Sequence, residues 1–189
     1  MDWKHWYMEL EQDDESWDVS EEIVLRGVWD VSEEIVLRGV VHVNFCGQPS
    51  EVEVEFIVGA DSEEQAQTIE EPTQLQKKTW EQYMEYSSTI HLKVLESIHH
   101  HYAGIVEKYR NAYSTWGEDP DEYAPYVERP EQLLNRIQLM SILISDLSAK
   151  DELYLNFSCS WDREHGLGVH MKQMKMEHIQ GVYTLYDLE

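Results

Sequence analysis

Basic residues are scarce in this chain of 189 residues, in which 14 Lys and Arg stand against 38 Asp and Glu. The formal net charge is therefore -24. A protein binds nucleic acid by neutralising phosphates with cations, so this balance argues against a nucleic-acid partner. An anionic membrane surface would repel the chain for the same reason. The field around such a protein attracts a cation or a basic protein instead.

Cysteines and long apolar runs are also scarce, and each shortage excludes a class of protein. Two cysteines, Cys46 and Cys159, are too few for a disulfide framework, and we expect both to be reduced and to lie on strands. No segment approaches the roughly 18 uncharged apolar residues that span a membrane. The opening segment lacks the basic flank and apolar centre of a secretory signal. These shortages predict a cytoplasmic protein with no membrane contact.

Hydrophobic residues, at 42%, are numerous enough for one globular domain with a core. Residues 1–16 are acidic and are predicted to form an arm, followed by a single domain over residues 17–189. The string WDVSEEIVLRGV occurs twice without change, at residues 17–28 and 29–40. Because the spacing of 12 is even, both copies would present the same face in a strand. We therefore expect the copies to compete for one position in a sheet, with the other copy in a loop or an added edge strand.

The order of periodic patterns predicts an α+β fold. Residues 40–59 alternate apolar and polar residues around GQPS, which is typical of a hairpin. Two helices are predicted next, one over 73–88 and a longer one over about 88–113. Strand patterns return after residue 136. An antiparallel sheet of N-terminal and C-terminal strands, packed against two central helices, accounts for this order.

The longer helix has one apolar stripe at spacings of three and four residues. The stripe is predicted to face the sheet. Its members are Ile90, Val94, Ile98, Tyr102, Ile105 and Tyr109.

Residues 161–168, with the sequence WDREHGLG, are the main candidate for a site. One interpretation is a hairpin loop in which Asp162 bonds to its own turn amides and Gly166 and Gly168 allow positive φ or a close backbone approach. A second interpretation is acid–base chemistry by His165 beside Asp162 and Glu164. No nucleophile or second His stands nearby at a telling spacing, so the sequence predicts no catalytic residue.

A third interpretation makes this loop a binding surface. An exposed group of Trp161, Arg163 and His165 would supply anchors for a protein partner. A row of acids on the predicted hairpin, Glu51, Glu53 and Glu55, alternates with apolar residues and would make one sheet face anionic. These two groups are the candidate partner-binding residues.

The sequence predicts no metal site and no cofactor. Three consecutive histidines, 99–101, point 100° apart on a helix and cannot converge on one ion. Glu96 and His99 form one Glu-x-x-His pair, whereas a di-metal bundle needs two such pairs. The segment EDPDEY, 118–123, lacks calcium-loop spacing and is read as a solvated loop. Glycine-rich phosphate loops are absent from the sequence.

The segment CSWDREHGLGV, 159–169, resembles the signature of a family of small, acidic, mostly bacterial domains of uncharacterised biochemistry. The resemblance extends to IVLRGVVHVNFCGQPSEVEVEF, to the helical block over 72–109 and to APYVERPEQLLN, and so covers most of residues 33–181. The family is similar to proteins found beside polymorphic toxins, where small acidic proteins act as immunity factors. The extra 12-residue copy and the long acidic N-terminus depart from this pattern.

These observations favour a non-enzymatic protein that binds a basic partner, and the resemblance implies that this partner is a toxin. The alternative is a metal-dependent or acid–base hydrolase that uses Asp162, Glu164 and His165. A purely structural or interaction domain, in which residues 161–168 form only a turn, is the third hypothesis.

Overall fold

The computed structural model describes residues 33–60, 69, 71–146 and 152–183. Residues 1–16, predicted to be an acidic arm, and the first copy of the repeat, 17–28, lie outside these residues. The described part has six strands and one long helix. The strands are β1 Glu33–Phe45, β2 Gln48–Ala60, β3 Ile137–Ser145, β4 Glu152–Cys159, β5 Leu167–Lys172 and β6 Lys175–Gln180. Between β2 and β3 lie α1 Gln74–Trp116, α2 Pro120–Tyr123 and the 3-10 helix Pro130–Asn135.

The strands form one sheet in chain order, β1 to β6, which confirms the α+β fold class. Four of the five neighbouring pairs are antiparallel. The pair β2–β3 is parallel, with Glu53 opposite Ser141. Parallel neighbours need a long crossover, and the helices between β2 and β3 provide it. The prediction of a purely antiparallel sheet was wrong at this pair.

The two predicted central helices are one continuous helix, α1, of 43 residues. It begins with a capping box in which the Thr73 side chain accepts from the Gln76 amide and the Gln76 side chain accepts from the Thr73 amide. It ends at Gly117, whose φ of 79° suits a left-handed cap. The predicted break fell at Ser87 and Ser88, but Ser87 bonds the Met84 carbonyl and stays in the helix.

Gln76 also fastens the start of α1 to the sheet. Its side-chain nitrogen donates to the carbonyls of Ile57, at 2.7 Å, and Ile144, at 2.9 Å. These two carbonyls belong to the parallel strands β2 and β3. The side chain is fully buried, so its hydrogen bonds replace those that water would otherwise supply.

Alternate residues of β1 to β5 pack under α1 and form the main core. The predicted stripe of α1 is confirmed at Ile90, Val94, Ile98 and Tyr102, all buried. The stripe then continues through Val106 and Tyr113, while Ile105 and Tyr109 are only half-buried. A helix of 3.6 residues per turn drifts around its axis, so a stripe extrapolated over several turns changes members.

The opposite sheet face, which we call the open face, carries a smaller apolar cluster with polar residues around it. The cluster consists of Val36, Ile57, Leu143, Tyr154 and Tyr183. The segment Gly181–Tyr183 lies along this face, because Asn156 bonds both the amide and the carbonyl of Tyr183 at 2.8 Å. The face therefore has a covered part over β4 and β5.

The second copy of the repeat supplies the edge strand. Residues 33–40 of that copy pair with residues 53–60 of β2. Val36 and Leu37 are both about 2% exposed and point to opposite faces of the sheet. The strand prediction for this string is thus confirmed for the second copy.

Two loop predictions were wrong in detail. The β1–β2 turn is Cys46–Gly47, both with positive φ, so Cys46 lies in a turn and GQPS mostly continues β2. The acidic segment after Gly117 is partly helical, because Asp119 caps the single turn Pro120–Tyr123. No helix among the described residues is long and apolar enough to cross a membrane.

Candidate functional site

The loop between β4 and β5 is closed by Asp162. Its Oδ1 accepts from the His165 amide at 3.1 Å and lies 3.0 Å from the His165 ring nitrogen Nδ1. Its carbonyl accepts from the Gly166 amide at 2.9 Å. The expectation that Asp162 bonds to its own turn amides is confirmed. The side chain that looked catalytic in sequence therefore shapes the backbone.

Asp162 also connects this loop to the helix. The Tyr109 hydroxyl donates to Asp162 Oδ2 at 2.6 Å. Burial pushes the pKa of Asp162 upward, but the hydrogen bonds from Tyr109 and His165 outweigh it and lower the pKa below its ordinary value. The carboxylate is thus held ionised, and Tyr109 is a loop-positioning residue that the sequence showed only as a member of the apolar stripe.

Trp161 is not the exposed anchor that the sequence suggested. Its side chain is about 2% exposed and its ring centroid lies 4.4 Å from that of Tyr102 on α1. The backbone carbonyl of Trp161 accepts from the Tyr113 hydroxyl at 3.3 Å. A large apolar ring next to a helix gains more from burial than from solvent, so Trp161 packs in the core.

Arg163, Glu164 and His165 are exposed on the loop. The His165 side chain is 69% exposed, with its Nδ1 held by Asp162. An imidazole oriented in this way can accept a proton at Nε2, which is the chemistry behind the hydrolase hypothesis. Arg163 places its guanidinium 5.7 Å from the centre of the Tyr123 ring.

The nearest thiol does not complete a catalytic pair with His165. Cys159 is buried and its thiol donates to the Asp162 carbonyl at 3.5 Å. Burial raises the pKa of Cys159 to about 12, so the thiol stays protonated at neutral pH. Its contacts make Cys159 a packing residue at the base of the loop.

Gly166 and Gly168 are required by backbone contacts. Gly166 has a φ of 60°, in the left-handed region, and a Cβ there would lie 2.6 Å from the Phe157 carbonyl oxygen. A Cβ on Gly168 would lie 2.4 Å from the Tyr183 ring and 2.5 Å from the Gly181 oxygen. The sequence predicted a close backbone approach at these glycines but not its partner. The structure shows that the partner of Gly168 is the segment Gly181–Tyr183.

The predicted acidic row lies on the open face of β2. Glu51 and Glu53 are 73% and 48% exposed, and Glu55 is 19% exposed. Arg38 of β1 lies 2.9 Å from Glu55 and 3.7 Å from Glu53. Burial and then the neighbouring Glu55 raise the pKa of Glu53, while Arg38 opposes this rise. These carboxylates are crowded, and we call Glu51, Glu53 and Glu55 the acidic row.

The structure does not bring the acidic row and the 161–168 loop together. The row is on β2, whereas the loop joins β4 to β5, so β3 lies between the row and the strand that leads into the loop. Each strand adds about 4.8 Å across a sheet. The two groups of candidate residues therefore belong to separate surfaces.

The histidine-rich segment of α1 makes ordinary packing contacts. His99 lies against the Val127 carbonyl at 3.4 Å and His100 is exposed. Burial lowers the pKa of His101. Among the described residues, no group of three or more His, Cys, Asp or Glu side chains is placed to hold a metal ion.

Comparison with known proteins identifies a family that covers most of the chain. The family described as "Domain of unknown function (DUF6985)" matches residues 6–185. No curated protein and no solved structure matches the chain significantly.

Proposed function

The chain belongs to the DUF6985 family, and from that premise we propose that it is a non-enzymatic protein that binds a basic protein partner through the acidic row. The observation that carries this proposal is the excess of carboxylate around Arg38. One guanidinium contacts both Glu53 and Glu55. Within the part of the chain that the structure describes, the ion-pair partner of Glu51 is the exposed His42, at 3.5 Å. A cationic partner would relieve this crowding.

The charge of the whole chain supports the same proposal. A net charge of -24 speeds the approach of a basic protein, and the exposed row then offers fixed carboxylates for lysine or arginine. Burial and Glu55 raise the pKa of Glu53, and a bound cation would lower it again. A proton on Glu53 therefore competes with the cation. Binding should therefore be stronger at pH 7 than at pH 5.

The partner that we propose is a toxin, so that the chain would act as its immunity protein in the bacterial cytoplasm. Occlusion of a basic working surface requires no catalysis by the inhibitor, only a complementary face. Exposed Arg163 and His165 belong to another surface and are not needed for the contact with the acidic row.

The test is a growth-rescue assay in which the neighbouring gene is expressed with and without this protein. We expect the neighbour to be toxic and the wild-type chain to restore growth. The double variant Glu51→Gln, Glu53→Gln should rescue poorly and associate about tenfold more slowly at low salt.

A charge-matched control is the double variant Glu81→Gln, Glu96→Gln, which removes two exposed acids from α1. It should rescue like wild type if the acidic row is the docking surface. Equal behaviour of the two double variants, or a neighbour that is harmless, would count against the proposal.

The second candidate function is a hydrolase, favoured by the Asp162–His165 contact of 3.0 Å. The dyad would act by acid–base chemistry, because among the described residues no group of three side chains is placed to hold a metal. His165→Ala should then abolish any hydrolytic activity of the wild type, measured on chromogenic ester and phosphate substrates. Under the binding proposal, neither protein hydrolyses these substrates.

A further inference from the structure

A cleft of about 900 Å³ opens at the end of the sheet where β3 begins and β4 ends. Its walls come from the β1–β2 turn, from Glu122 and Tyr123 on α2, from the exit of the 3-10 helix and from the loop after β4. We call it the sheet-end cleft. Its volume falls in the range of sites for small molecules, which is about 300–1,000 Å³.

Two arginines line the sheet-end cleft, Arg136 from the start of β3 and Arg163 from the loop after β4. Both lie against α2: Arg136 Nη1 donates to the Glu122 carbonyl at 2.5 Å, and the Arg163 guanidinium lies 5.7 Å from the centre of the Tyr123 ring. The two cationic groups therefore share one wall of the cleft.

The backbone holds Arg136 in place from both sides. Its amide donates to the Leu133 carbonyl at 2.7 Å, and its carbonyl accepts from the Ser160 amide at 2.9 Å. Ser160 is itself fixed, because its hydroxyl donates to the Tyr123 carbonyl at 2.7 Å. Arg136 is thus preorganised, which lowers the entropic cost of binding a ligand.

Neither arginine has an ion-pair partner within the described residues, although acids outnumber basic residues in the chain by 38 to 14. Two half-buried arginines elsewhere in the described residues, Arg38 and Arg110, contact Glu55 and Asp121 at 2.9 Å and 2.7 Å. Most of the guanidinium donors of Arg136 and Arg163 are therefore available to a ligand.

The nearby acids do not neutralise this pair. The carboxylate of Asp162 is occupied by Tyr109 and His165, at 2.6 Å and 3.0 Å. Glu122 lines the cleft, but it meets Arg136 through its backbone carbonyl. The charged residues that line the sheet-end cleft are thus two arginines and one acid, the reverse of the balance in the whole chain.

The remaining lining suits a ligand with an organic body. Gln138 and Ser158 are exposed, lie opposite each other on β3 and β4, and offer an amide and a hydroxyl. Buried Phe45 and Leu139 provide apolar surface. Apolar lining with a few convergent polar groups is typical of small-molecule sites.

We propose that the sheet-end cleft binds a small organic anion, held by its phosphate or carboxylate group between Arg136 and Arg163. The guanidinium fork matches both of these groups and can donate two parallel hydrogen bonds to either. Long-range repulsion by the net charge is screened over about 8 Å at physiological ionic strength, so direct contact with the arginines decides the affinity.

This site adjoins the proposed partner surface but uses other residues. Ser50 lines the cleft and precedes Glu51, whereas Glu51, Glu53 and Glu55 are not part of the lining. A variant that removes either arginine leaves Glu51, Glu53 and Glu55 in place, so failure of one proposal does not decide the other.

The experiment is a titration of the full chain with phenyl phosphate, benzoate and neutral benzyl alcohol, followed by the amide NMR shifts of residues around the cleft. We expect at least one of the two anions to bind and benzyl alcohol to bind at least about tenfold more weakly. Binding of phenyl phosphate alone identifies a phosphate ester as the ligand class, and binding of benzoate alone identifies a carboxylate.

Three variants test the arginines. Arg163→Met, at an exposed position, and Arg136→Met should each weaken anion binding about tenfold or more. Arg136→Lys keeps the charge but loses the fork, so it should bind more weakly than wild type. Arg129→Met is the matched control, since it removes an exposed arginine that does not line the cleft and should bind like wild type.

Three results would overturn the proposal. The first is that neither anion binds at 10 mM, a concentration that detects an affinity of about 1 mM. The others are that benzyl alcohol binds as tightly as the anions, or that Arg163→Met leaves anion binding unchanged. Far-UV circular dichroism and melting temperature establish that each variant is folded. If Arg136→Met is unfolded, Arg163→Met and Arg136→Lys decide the outcome.

Discussion

At the scale of single residues, the loop after β4 shows how polar and glycine residues that look functional can be structural. Asp162 accepts from Tyr109 and His165, and Gly168 allows Tyr183 to lie on the sheet. Trp161 is buried against Tyr102. The residue types in the 161–168 loop are therefore set by contacts, because the loop meets both α1 and the segment Gly181–Tyr183.

Gly168→Ala should destabilise the protein by about 1–3 kcal/mol, because the new Cβ would overlap the Tyr183 ring and the Gly181 oxygen. Gly104→Ala is the matched control on α1, where a Cβ would meet no atom within 4 Å. It should stabilise the protein by about 0.5–1 kcal/mol, because alanine favours a helix interior. Urea unfolding measures both changes, and equal effects would contradict the role of Gly168.

Tyr109→Phe should lower the free energy of unfolding by about 1 kcal/mol at pH 7, allowing for partial solvent exposure of the Asp162 contact. The pKa of Asp162 is depressed in the folded state, so its ionised form contributes stability above the unfolded pKa of about 4. That contribution is lost as pH falls through the folded pKa. The difference between variant and wild type should therefore shrink as pH falls below about 4.

Tyr126→Phe is the control for this pair. Its hydroxyl donates to Glu107 at the same distance of 2.6 Å, but both groups are exposed. Its urea midpoint should stay close to that of wild type at every pH. A pH-independent loss in Tyr109→Phe would mean that the lost contact is one of packing rather than of charge.

At the scale of elements, the duplicated string WDVSEEIVLRGV offers two identical candidates for one edge strand. The second copy fills the edge of the sheet, with Val36 facing one side and Leu37 the other. The identical Val24 and Leu25 of the first copy lie outside the described residues. Position along the chain, rather than local propensity, decides which copy pairs with β2.

Leu37→Asp should destabilise the protein by about 3 kcal/mol or more, because an unpaired carboxylate would enter the main core. Leu25→Asp, the same change in the first copy, should leave the urea midpoint close to that of wild type. If both variants lose stability equally, the two copies share the edge position. If Leu37→Asp is harmless, the first copy can replace the second by a shift of 12 residues in register.

At the scale of the whole molecule, a net charge of -24 opposes folding through self-repulsion and favours association with cations. With so many acids in the chain, it is unusual that the two arginines of the sheet-end cleft form no ion pair within the described residues. The net charge of the chain therefore acts on a partner through the surrounding solvent, whereas the two arginines act on a ligand only on contact.

Raising NaCl from 20 mM to 500 mM should raise the melting temperature by about 3–6 °C, because screening reduces the repulsion among acids. KCl at the same concentrations should give the same shift, whereas sucrose of equal osmolality controls for solvent effects. A melting temperature that falls with salt would show that favourable ion pairs outweigh the repulsion.

The sequence by itself determined the α+β class, the hairpin strands over 40–59, the first half of the apolar stripe on α1 and the acidic row. Each of these follows from periodicity or composition, which act between residues close in the chain. The division into two helices near residue 88 was wrong, because α1 is continuous there and Ser87 bonds the Met84 carbonyl of the same helix.

Only the tertiary structure decided the rest. It buried Trp161 under α1, joined Tyr109 to Asp162 across 53 residues, laid Gly181–Tyr183 over Gly168 and gathered Arg136 and Arg163 into one cleft. The physical reason is that these contacts join different elements, which meet only when the crossover between β2 and β3 places α1 on the sheet and the later strands β4 to β6 pair beside β3. A local pattern shows which face of an element is apolar, but the contacts across elements exist only once the sheet has formed.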